Sequence, residues 1–226
     1  ASTGPSLTYL WNFGDGTTST NSSPVHFYGT TGVYNPTLIV TTQSGCVNQA
    51  ISLVPIRVVT TPGISFTQSP NGCVPLIMSF TGNIINPDTS AITWLWKFSD
   101  GRQFPGQNLV SIPFPNAGNF IDTLIAINSS GCRDSAFSML DVYPKPAVTA
   151  SSNINICLGT GQTISAQGAL TYVWSPSTGL SCTNCQTALA SPIVSTDYMV
   201  TGTSQQGCTN NAQVRVDVTM PFRLQP

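Results

Sequence analysis

The cysteine pair in Cys182-Thr-Asn-Cys185 has the residue type and the spacing that could bind a metal or exchange electrons. A zinc site needs four ligands, but there is no second C-x-x-C, and the one histidine, His26, lies far away along the chain. A thioredoxin-like redox site would need a β-α-β setting, which the surrounding residues do not predict. The spacing therefore favours a local disulfide in a loop, which would contribute about 2 kcal/mol.

The remaining five cysteines predict two longer disulfides and one cysteine left over. Seven cysteines are many for a reducing compartment, so they favour a secreted protein. Cys73 is expected to pair with Cys132. In the same way Cys157 is expected to pair with Cys208, because both pairs hold the same relative places. Each closed loop of about 50 to 60 residues would contribute about 4 kcal/mol. Cys46 is left over, and its partner is expected to be missing from this chain.

Acid–base catalysis is not predicted. All eight acidic residues are Asp, and no H-E-x-x-H, G-x-S-x-G or P-loop pattern occurs. His26 is expected to be a strand residue rather than a catalyst. Asp15 and Asp100 lie in Gly-Asp-Gly and Ser-Asp-Gly turns, where we expect them to bond back to the turn backbone, with calcium binding as the alternative. We therefore expect no enzyme activity, no metal and no cofactor.

Tryptophan, a later aromatic residue and cysteine recur in the same order in an internal repeat. Each of three copies contains a tryptophan, an aromatic residue 23 or 24 positions later, and then a cysteine. The markers are Trp11, Tyr34 and Cys46 in the first copy, Trp96, Phe120 and Cys132 in the second, and Trp174, Tyr198 and Cys208 in the third. We call the copies the first repeat (residues 1–60), the second repeat (61–145) and the third repeat (146–226), and predict a domain for each.

Short runs rich in β-branched and aromatic residues, broken by Pro, Gly and Asn, predict an all-β protein of tandem antiparallel immunoglobulin-like β-sandwiches. Trp94, Trp96 and Phe98 alternate along one run and must share one face of a strand. We expect this face to be the core, so that Trp11, Trp96, Trp174 and the aromatic markers pack inside rather than binding sugars.

The residues W-x-F-G-D-G followed by G-x-Y resemble the PKD domain, named after the polycystic kidney disease protein. The first repeat carries this pattern from Trp11 to Gly16, and the second from Trp96 to Gly101, with Ser99 in place of the first glycine. The third repeat lacks the turn and resembles Ig-like modules with a C-x-x-C insert, found beside PKD domains in large surface proteins of Bacteroidota. The resemblance implies a sandwich fold and an extracellular setting, and by itself no activity.

The first repeat is expected to lack its first strands, because nothing in it matches the two strands that precede Trp96 in the second repeat. One explanation is that the chain is a segment of a longer array of domains. The other is that another subunit supplies the strands, as in donor-strand assembly.

One face of the second repeat carries apolar residues where a solvated sheet would alternate to polar ones. We expect it to be covered, either by a loop or by a lateral contact with another chain. Its residues are Ile121, Ile125, Ile127, Phe137 and Met139.

Two tripeptides, Asp122-Thr123-Leu and Asp134-Ser135-Ala, resemble the O-glycosylation sequence of Bacteroidota. Thr123 is expected within a strand, whereas Ser135 follows a turn and is the more accessible candidate.

Composition narrows the classes of function that this chain can have. Among 226 residues only 7% are charged and the net charge is −1, which argues against a nucleic-acid partner, and no apolar stretch is long enough to span a membrane. We expect a non-catalytic segment of a long extracellular repeat protein at the cell surface, either structural or adhesive. Its partners would be further Ig-like or PKD domains of the same polypeptide and other copies in a fibre. The alternative is an accessory spacer or substrate-presenting module of a secreted hydrolase.

Overall fold

The computed structural model describes residues 7–86 and 91–220, and none of them lies in a helix. The predicted all-β class is confirmed. Contacts between Cα atoms group the chain into two compact units. The first contains the residues up to Ser65 with Asn83–Trp94 and Ile125–Ser135, and the second contains Phe66–Gly82, Leu95–Leu124 and the residues from Ala136 onward. The predicted boundaries of the three domains stay a prediction.

The first repeat contains one four-stranded sheet and a short ribbon among its described residues. Its strands are β1 (Leu7–Asn12), β2 (Thr18–Ser19), β3 (Gly32–Tyr34), β4 (Thr37–Thr42), β5 (Val47–Ile51) and β6 (Ile56–Val58). The sheet has the order β2-β1-β4-β5, and β3 pairs with β6.

The second repeat contains two sheets. Its strands are β7 (Ile64–Gln68), β8 (Gly72–Cys73), β9 (Leu76–Ile84), β10 (Ile92–Phe98), β11 (Gln103–Pro105), β12 (Asn108–Phe114), β13 (Gly118–Asn128) and β14 (Arg133–Tyr143). One sheet has the order β11-β10-β13-β14-β8 and the other the order β12-β9-β7. Strands β7, β9, β10, β13 and β14 each contribute residues to both compact units.

The third repeat follows the same plan within the second unit. Its strands are β15 (Thr149–Ala150), β16 (Ile154–Cys157), β17 (Gln162–Gln167), β18 (Thr171–Ser175), β19 (Thr187–Ala190), β20 (Thr196–Thr203) and β21 (Thr209–Thr219). The sheets have the orders β16-β21-β20-β18 and β15-β17-β19. The pairing is mostly antiparallel, but β8 runs parallel to β14 and β16 runs parallel to β21.

The aromatic residues that alternate along the strands form the cores, because successive side chains of a strand point to opposite faces. In β10, Trp96 and Phe98 are buried while Lys97 between them is exposed. In the third repeat, Trp174 and Tyr198 are buried in one cluster with the apolar residues of both sheets.

Candidate functional site

Three turns end in a cysteine and share one backbone geometry. In the second repeat the Asn128 N–H donates to the carbonyl of Cys132 at 2.9 Å, and the Gly131 N–H donates to the carbonyl of Asn128 at 2.9 Å. The Oδ1 atom of Asn128 also accepts the N–H of Cys132 at 2.9 Å. Gly131 has a φ of 83°, in the left-handed region that favours glycine. The turn therefore holds Cys132 in a defined place at the start of β14.

The first and third repeats form the same turn. The Thr42 N–H donates to the carbonyl of Cys46 at 2.9 Å, and the Thr42 Oγ1 accepts the Cys46 N–H at 3.1 Å. The Ser204 N–H donates to the carbonyl of Cys208 at 2.8 Å, and the Ser204 Oγ accepts the Cys208 N–H at 3.2 Å. The glycine before each cysteine has a φ of 85° or 81°. We call Cys46, Cys132 and Cys208 the turn cysteines.

A second cysteine position recurs in the second and third repeats. Cys73 ends β8 and lies opposite Tyr143, the last residue of β14, and the following N–H donates to the Tyr143 carbonyl at 3.0 Å. Cys157 ends β16 and lies opposite Thr219, the last residue of β21, and the following N–H donates to the Thr219 carbonyl at 2.9 Å. We call Cys73 and Cys157 the edge cysteines.

An asparagine side chain begins each of these parallel pairings. The Oδ1 atom of Asn71, just before β8, accepts the N–H of Asp141 in β14 at 3.2 Å. The Oδ1 atom of Asn153, just before β16, accepts the N–H of Arg215 in β21 at 2.9 Å. The Asp141 carboxylate in turn accepts the amide of Asn71 at 3.4 Å. These bonds hold each edge strand, and with it the edge cysteine, against the end of the last strand of its repeat.

A disulfide joins the edge cysteine of the second repeat, Cys73, to the turn cysteine of the third repeat, Cys208. The two residues are 135 positions apart in the sequence, and both belong to the second compact unit. The bond therefore connects successive repeats rather than closing a loop within one repeat.

This bond corrects the predicted pairs Cys73–Cys132 and Cys157–Cys208. Cys132 precedes β14, whereas Cys73 lies opposite the last residue of that 11-residue strand, so roughly 35 Å of strand separates them. The 11-residue strand β21 separates Cys208 from Cys157 in the same way. A disulfide requires Cα atoms within about 7 Å, which neither pair can reach.

Three cysteines of the described residues are free thiols: Cys46, Cys132 and Cys157. Cys46 and Cys157 are exposed, and Cys132 is half-buried. That the partner of Cys46 lies outside this chain stays a prediction, whereas Cys132 and Cys157 were expected to be bonded to Cys73 and Cys208. No local sequence signal places Cys73 and Cys157 at the far ends of β14 and β21, because short parallel pairings put them there.

The Cys182–Cys185 pair forms a local disulfide in the loop between β18 and β19. The indole Nε1 of Trp174 donates to the carbonyl of Cys185 at 2.9 Å, and the Trp174 N–H donates to the carbonyl of Thr183 at 2.8 Å. Both cysteines are partly buried against the core cluster. The loop therefore closes the core beside Trp174 and supplies the acceptor that a buried indole needs.

The turn after β1 places Asp15 next to His26. The Oδ1 atom of Asp15 accepts the Thr17 hydroxyl at 2.6 Å and the Thr17 N–H at 3.0 Å, and Oδ2 lies 2.7 Å from Nε2 of His26. The Thr17 hydroxyl lowers the pKa of Asp15 most, and the Thr17 N–H and His26 lower it further, against the effect of burial, to about 2. His26 stacks on Phe13 at 3.9 Å between ring centroids. His26 lies between β2 and β3 in a segment without regular structure, so its predicted strand is wrong.

The corresponding turn after β10 places Asp100 beside Arg102. The Oδ1 atom of Asp100 accepts the Arg102 N–H at 3.0 Å, and Oδ2 accepts the Arg102 Nε–H at 2.7 Å. The Arg102 guanidinium lies 4.5 Å from the ring centroid of Phe114. Both aspartates thus bond back to their turns.

Asp122 is a buried carboxyl inside the second repeat. Its side chain has no exposed surface, and neither carboxyl oxygen has a hydrogen-bond partner. Burial raises the pKa of Asp122 to about 6, and the charge of Asp100 raises it further against the lowering effect of Arg102. A lone buried carboxyl of this kind destabilises the fold when it is ionised.

Within residues 7–86 and 91–220, no group of three or more His, Cys, Asp or Glu side chains is arranged to hold a metal ion. In the same part of the chain, no helix could cross a membrane.

A sequence model of the PKD domain family matches residues 1–56 and 59–142. The chain belongs to the PKD domain family. The match confirms the resemblance that the W-x-F-G-D-G pattern indicated, and it covers the first and second repeats.

Known relatives include bacterial collagenases. Collagenase ColA of Bacillus cereus is 35% identical over 89 residues, which are 39% of this chain and 9% of the collagenase. A microbial collagenase of Vibrio alginolyticus is 43% identical over 53 residues, which are 24% of this chain and 6% of the collagenase. The chain spans less than a tenth of the length of the curated relatives it matches.

Solved structures with some similarity include a domain of the same family. The PKD1 domain of the Vibrio cholerae metalloprotease PrtV is 20% identical, with 37% of this chain and 98% of that domain covered at a TM-score of 0.33. A 1.5-MDa bacterial ice-binding adhesin is 11% identical, with 94% of this chain and 87% of that chain covered at a TM-score of 0.38.

The sheet of the first PKD repeat has an open apolar face. Trp11, Leu38 and Ala50 lie in register across β1, β4 and β5. Trp11 is half-buried, and its Nε1 has no hydrogen-bond partner. Two open grooves of about 350 and 380 Å³ adjoin this face, and Leu38 and Ala50 line both.

The second PKD repeat has the same face closed by a second sheet. Trp96, the counterpart of Trp11, is fully buried, with its ring centroid 4.9 Å from that of Phe66 in β7 and 5.2 Å from that of Phe80 in β9. Its Nε1 donates to the carbonyl of Gln107 at 3.3 Å. The sheet formed by β7, β9 and β12 has no counterpart among the described residues of the first repeat.

The apolar outer face of the second PKD repeat is smaller than predicted. Ile121, Phe137 and Met139 are exposed by 50%, 77% and 66%, and Ile127 is at the edge of exposure. Ile125 is buried, so it does not belong to an exposed contact surface. Leu124, Ile125 and Ala126 are all buried, which means that both faces of β13 are covered at this point.

The two predicted glycosylation residues differ in accessibility. Ser135 is exposed near the start of β14, and Thr123 is half-buried within β13. Ser135 stays the more accessible candidate, and glycosylation of either residue stays a prediction.

Proposed function

We propose that this chain is a non-catalytic segment of a long extracellular repeat protein with a structural or adhesive role. The observation that carries the proposal is the Cys73–Cys208 disulfide, which fastens one repeat to the next. A covalent bond between neighbouring repeats limits their independent movement, which suits a protein that transmits force or keeps a fixed reach. Two disulfides also favour an oxidising, extracellular location.

The segments that connect the repeats support the same role. The Thr60 carbonyl accepts the side-chain amide of Asn128 at 3.1 Å, and the Thr61 carbonyl accepts that of Asn86 at 2.9 Å. At the next connection, the Pro146 carbonyl accepts the side-chain amide of Asn210 at 3.0 Å. Each connection is thus bonded to the repeat that follows it, which makes a semi-rigid string rather than freely jointed domains.

The open face of the first repeat fits an array of like domains. In the second repeat the equivalent face is covered by β7, β9 and β12. Aromatic side chains of β7 and β9 pack on the tryptophan, and Gln107, just before β12, supplies its carbonyl acceptor. We infer that a sheet of this same kind, from the same polypeptide, covers Trp11 and Leu38. Strands supplied by another subunit would cover the same side chains. In that case the burial of Trp11 would depend on the protein concentration, whereas cover from the same polypeptide would not.

The alternative is an accessory module of a secreted hydrolase. Collagenases of Bacillus cereus and Vibrio alginolyticus carry segments 35% and 43% identical to parts of this chain. In that case the repeats would space or present a protein substrate for a catalytic domain elsewhere in the polypeptide.

Three measurements bear on the two roles. An antibody against this chain, applied to intact cells and to blots of their surface fraction, should detect a polypeptide much longer than 226 residues. Collagen zymography of the same fraction should show no cleared band at that position, and the purified chain should stay in the supernatant when fibrillar collagen is sedimented. A cleared band at that position would instead establish the hydrolase role, whereas sedimentation with collagen alone would not, because an adhesive segment can also bind collagen.

A further inference from the structure

We propose that the three free cysteines form the same inter-repeat disulfide as Cys73 and Cys208, each with a cysteine in another repeat. The rule is that the turn cysteine of each repeat bonds the edge cysteine of the repeat before it. Cys157 would bond a turn cysteine in a following repeat. Cys132 would bond the edge cysteine of the first repeat, and Cys46 that of the repeat before it, and both of these edge cysteines would lie in parts of the polypeptide outside residues 1–226. The inference rests on the proposed array, because it needs further repeats in the polypeptide.

Equivalent backbone positions carry the argument for the turn cysteines. Cys132 and Cys46 have the same pair of backbone hydrogen bonds as Cys208, which is bonded, and in each turn a side-chain oxygen at the same position accepts the cysteine N–H. The three turns differ in the side chain that accepts, an asparagine, a threonine or a serine, but not in geometry. A repeat that packs on its predecessor as the third packs on the second therefore brings its turn cysteine to the same place.

The edge position is equally well matched. Cys157 is held at the end of β21 as Cys73 is held at the end of β14, by a parallel pairing that an asparagine side chain begins. Cys157 is exposed, so a following repeat can reach its sulfur. The bonded pair is separated by 135 residues, which places the partner of Cys157 roughly that far along the polypeptide.

The chemistry needs only an external disulfide as the oxidant. A thiolate of one cysteine attacks one sulfur of the oxidant's disulfide and forms a mixed disulfide with it, while the S–S bond of the oxidant breaks and its other sulfur leaves as a thiolate that gains a proton. The second cysteine then attacks the mixed disulfide and releases the other half of the oxidant as a thiol. Two protein thiols become one disulfide, and two electrons and two protons pass to the oxidant.

A chain extended by one repeat tests the proposal. Residues 144–226 are appended directly after Thr219, so that they follow β21 as they follow β14 in the natural chain. The protein is refolded in a buffer of reduced and oxidised glutathione, its free thiols are alkylated, and it is digested with chymotrypsin without reduction. Trypsin is unsuitable, because no cleavable basic residue lies between Cys157 and Cys208.

We expect a linked peptide that contains Cys157 and the turn cysteine of the appended repeat, with three alkylated cysteines per chain. Cys157→Ser in the natural third repeat should abolish that peptide and leave the appended turn cysteine alkylated. The matched Cys157→Ser change in the appended repeat should leave the linked peptide intact. In both variants the Cys73–Cys208 peptide should persist, which shows that the chain folds.

Full alkylation of Cys157 beside an intact Cys73–Cys208 bond would overturn the proposal. So would a disulfide-linked dimer on a non-reducing gel that requires Cys157, because the bond would then join separate chains. Neither result would affect the length, surface location or zymogram that test the proposed function.

Discussion

At the scale of single residues, Asp122 is a fully buried carboxyl without a hydrogen-bond partner. Counting from the aromatic markers Phe120 and Tyr198, it occupies the position of Val200 in the third repeat, and both side chains are fully buried. Valine at this position contributes to the core, whereas the Asp122 carboxyl has no hydrogen-bond partner there. The second repeat therefore contains a carboxyl whose charged form costs stability.

We expect the stability of the second repeat to depend on pH through Asp122. Its pKa is about 6 in the folded state against 3.8 for the ordinary group. The folded state therefore binds the proton more tightly, and the free energy of unfolding falls as the pH rises from about 4 to about 6 and stays lower above that. The two pKa values set an upper limit of about 3 kcal/mol for the loss, which solvent screening reduces.

Asp122→Asn should remove this decline. Urea unfolding at pH 4.5 and pH 7.5, followed by tryptophan fluorescence, measures the difference. Asp197→Asn is a suitable control, since this carboxylate is about half exposed in an ion pair with Arg215 and should leave the decline in place. An equal decline in the Asp122→Asn protein would show that another group is responsible.

At the scale of elements, the difference between the first and second repeats is the presence of a covering sheet. Leu38 in β4 and Leu124 in β13 hold equivalent positions, four residues after the aromatic markers Tyr34 and Phe120. Leu124 is fully buried, and Leu38 lines the open grooves. A leucine at the same position of equivalent strands is thus buried in a closed core in the second repeat and lies on an open face in the first.

We expect Leu124→Ala to lower the free energy of unfolding by about 2 to 5 kcal/mol, because it leaves a cavity in a closed core. Leu38→Ala should cost less than about 1 kcal/mol, because the removed methyl groups already border solvent. Urea unfolding of the two variants and the unchanged chain gives the comparison. Equal losses would mean that the face of the first repeat is covered in solution.

At the scale of the whole molecule, the inter-repeat disulfide decides how much of the chain can be stretched. The bond between Cys73 and Cys208 bypasses the 135-residue separation between them. Under tension these residues cannot lengthen until the bond is reduced, so part of the chain is protected from mechanical unfolding.

Single-molecule stretching should show this protection directly. Complete unfolding of the oxidised chain should yield roughly 450 to 490 Å less extension than that of a Cys73→Ser variant, at 3.3 to 3.6 Å for each bypassed residue. Cys182→Ser should change the extension very little, because its disulfide spans a separation of only three residues. Equal extension of the oxidised chain and the Cys73→Ser variant would exclude the bond between repeats.

The sequence by itself determined the repeat, the all-β class, the buried tryptophans of the second and third repeats and the Asp15 and Asp100 turns. These features depend on neighbours within a few residues, such as the alternation of side chains along a strand or a carboxylate that bonds the backbone two positions on. The markers Trp11, Trp96 and Trp174 could therefore be aligned from their spacing alone.

The tertiary structure alone decided which of the five cysteines outside the C-x-x-C loop meet, and which side chains the sheets cover. Cys73 and Cys157 are placed by short parallel pairings at the far ends of β14 and β21, and no local pattern reveals a parallel partner. The alternation along β13 predicts that Ile125 is exposed, but its side chain is buried, because both faces of the sheet are covered at this point. Long-range pairing sets these contacts, and a disulfide forms only where that pairing brings two sulfur atoms together.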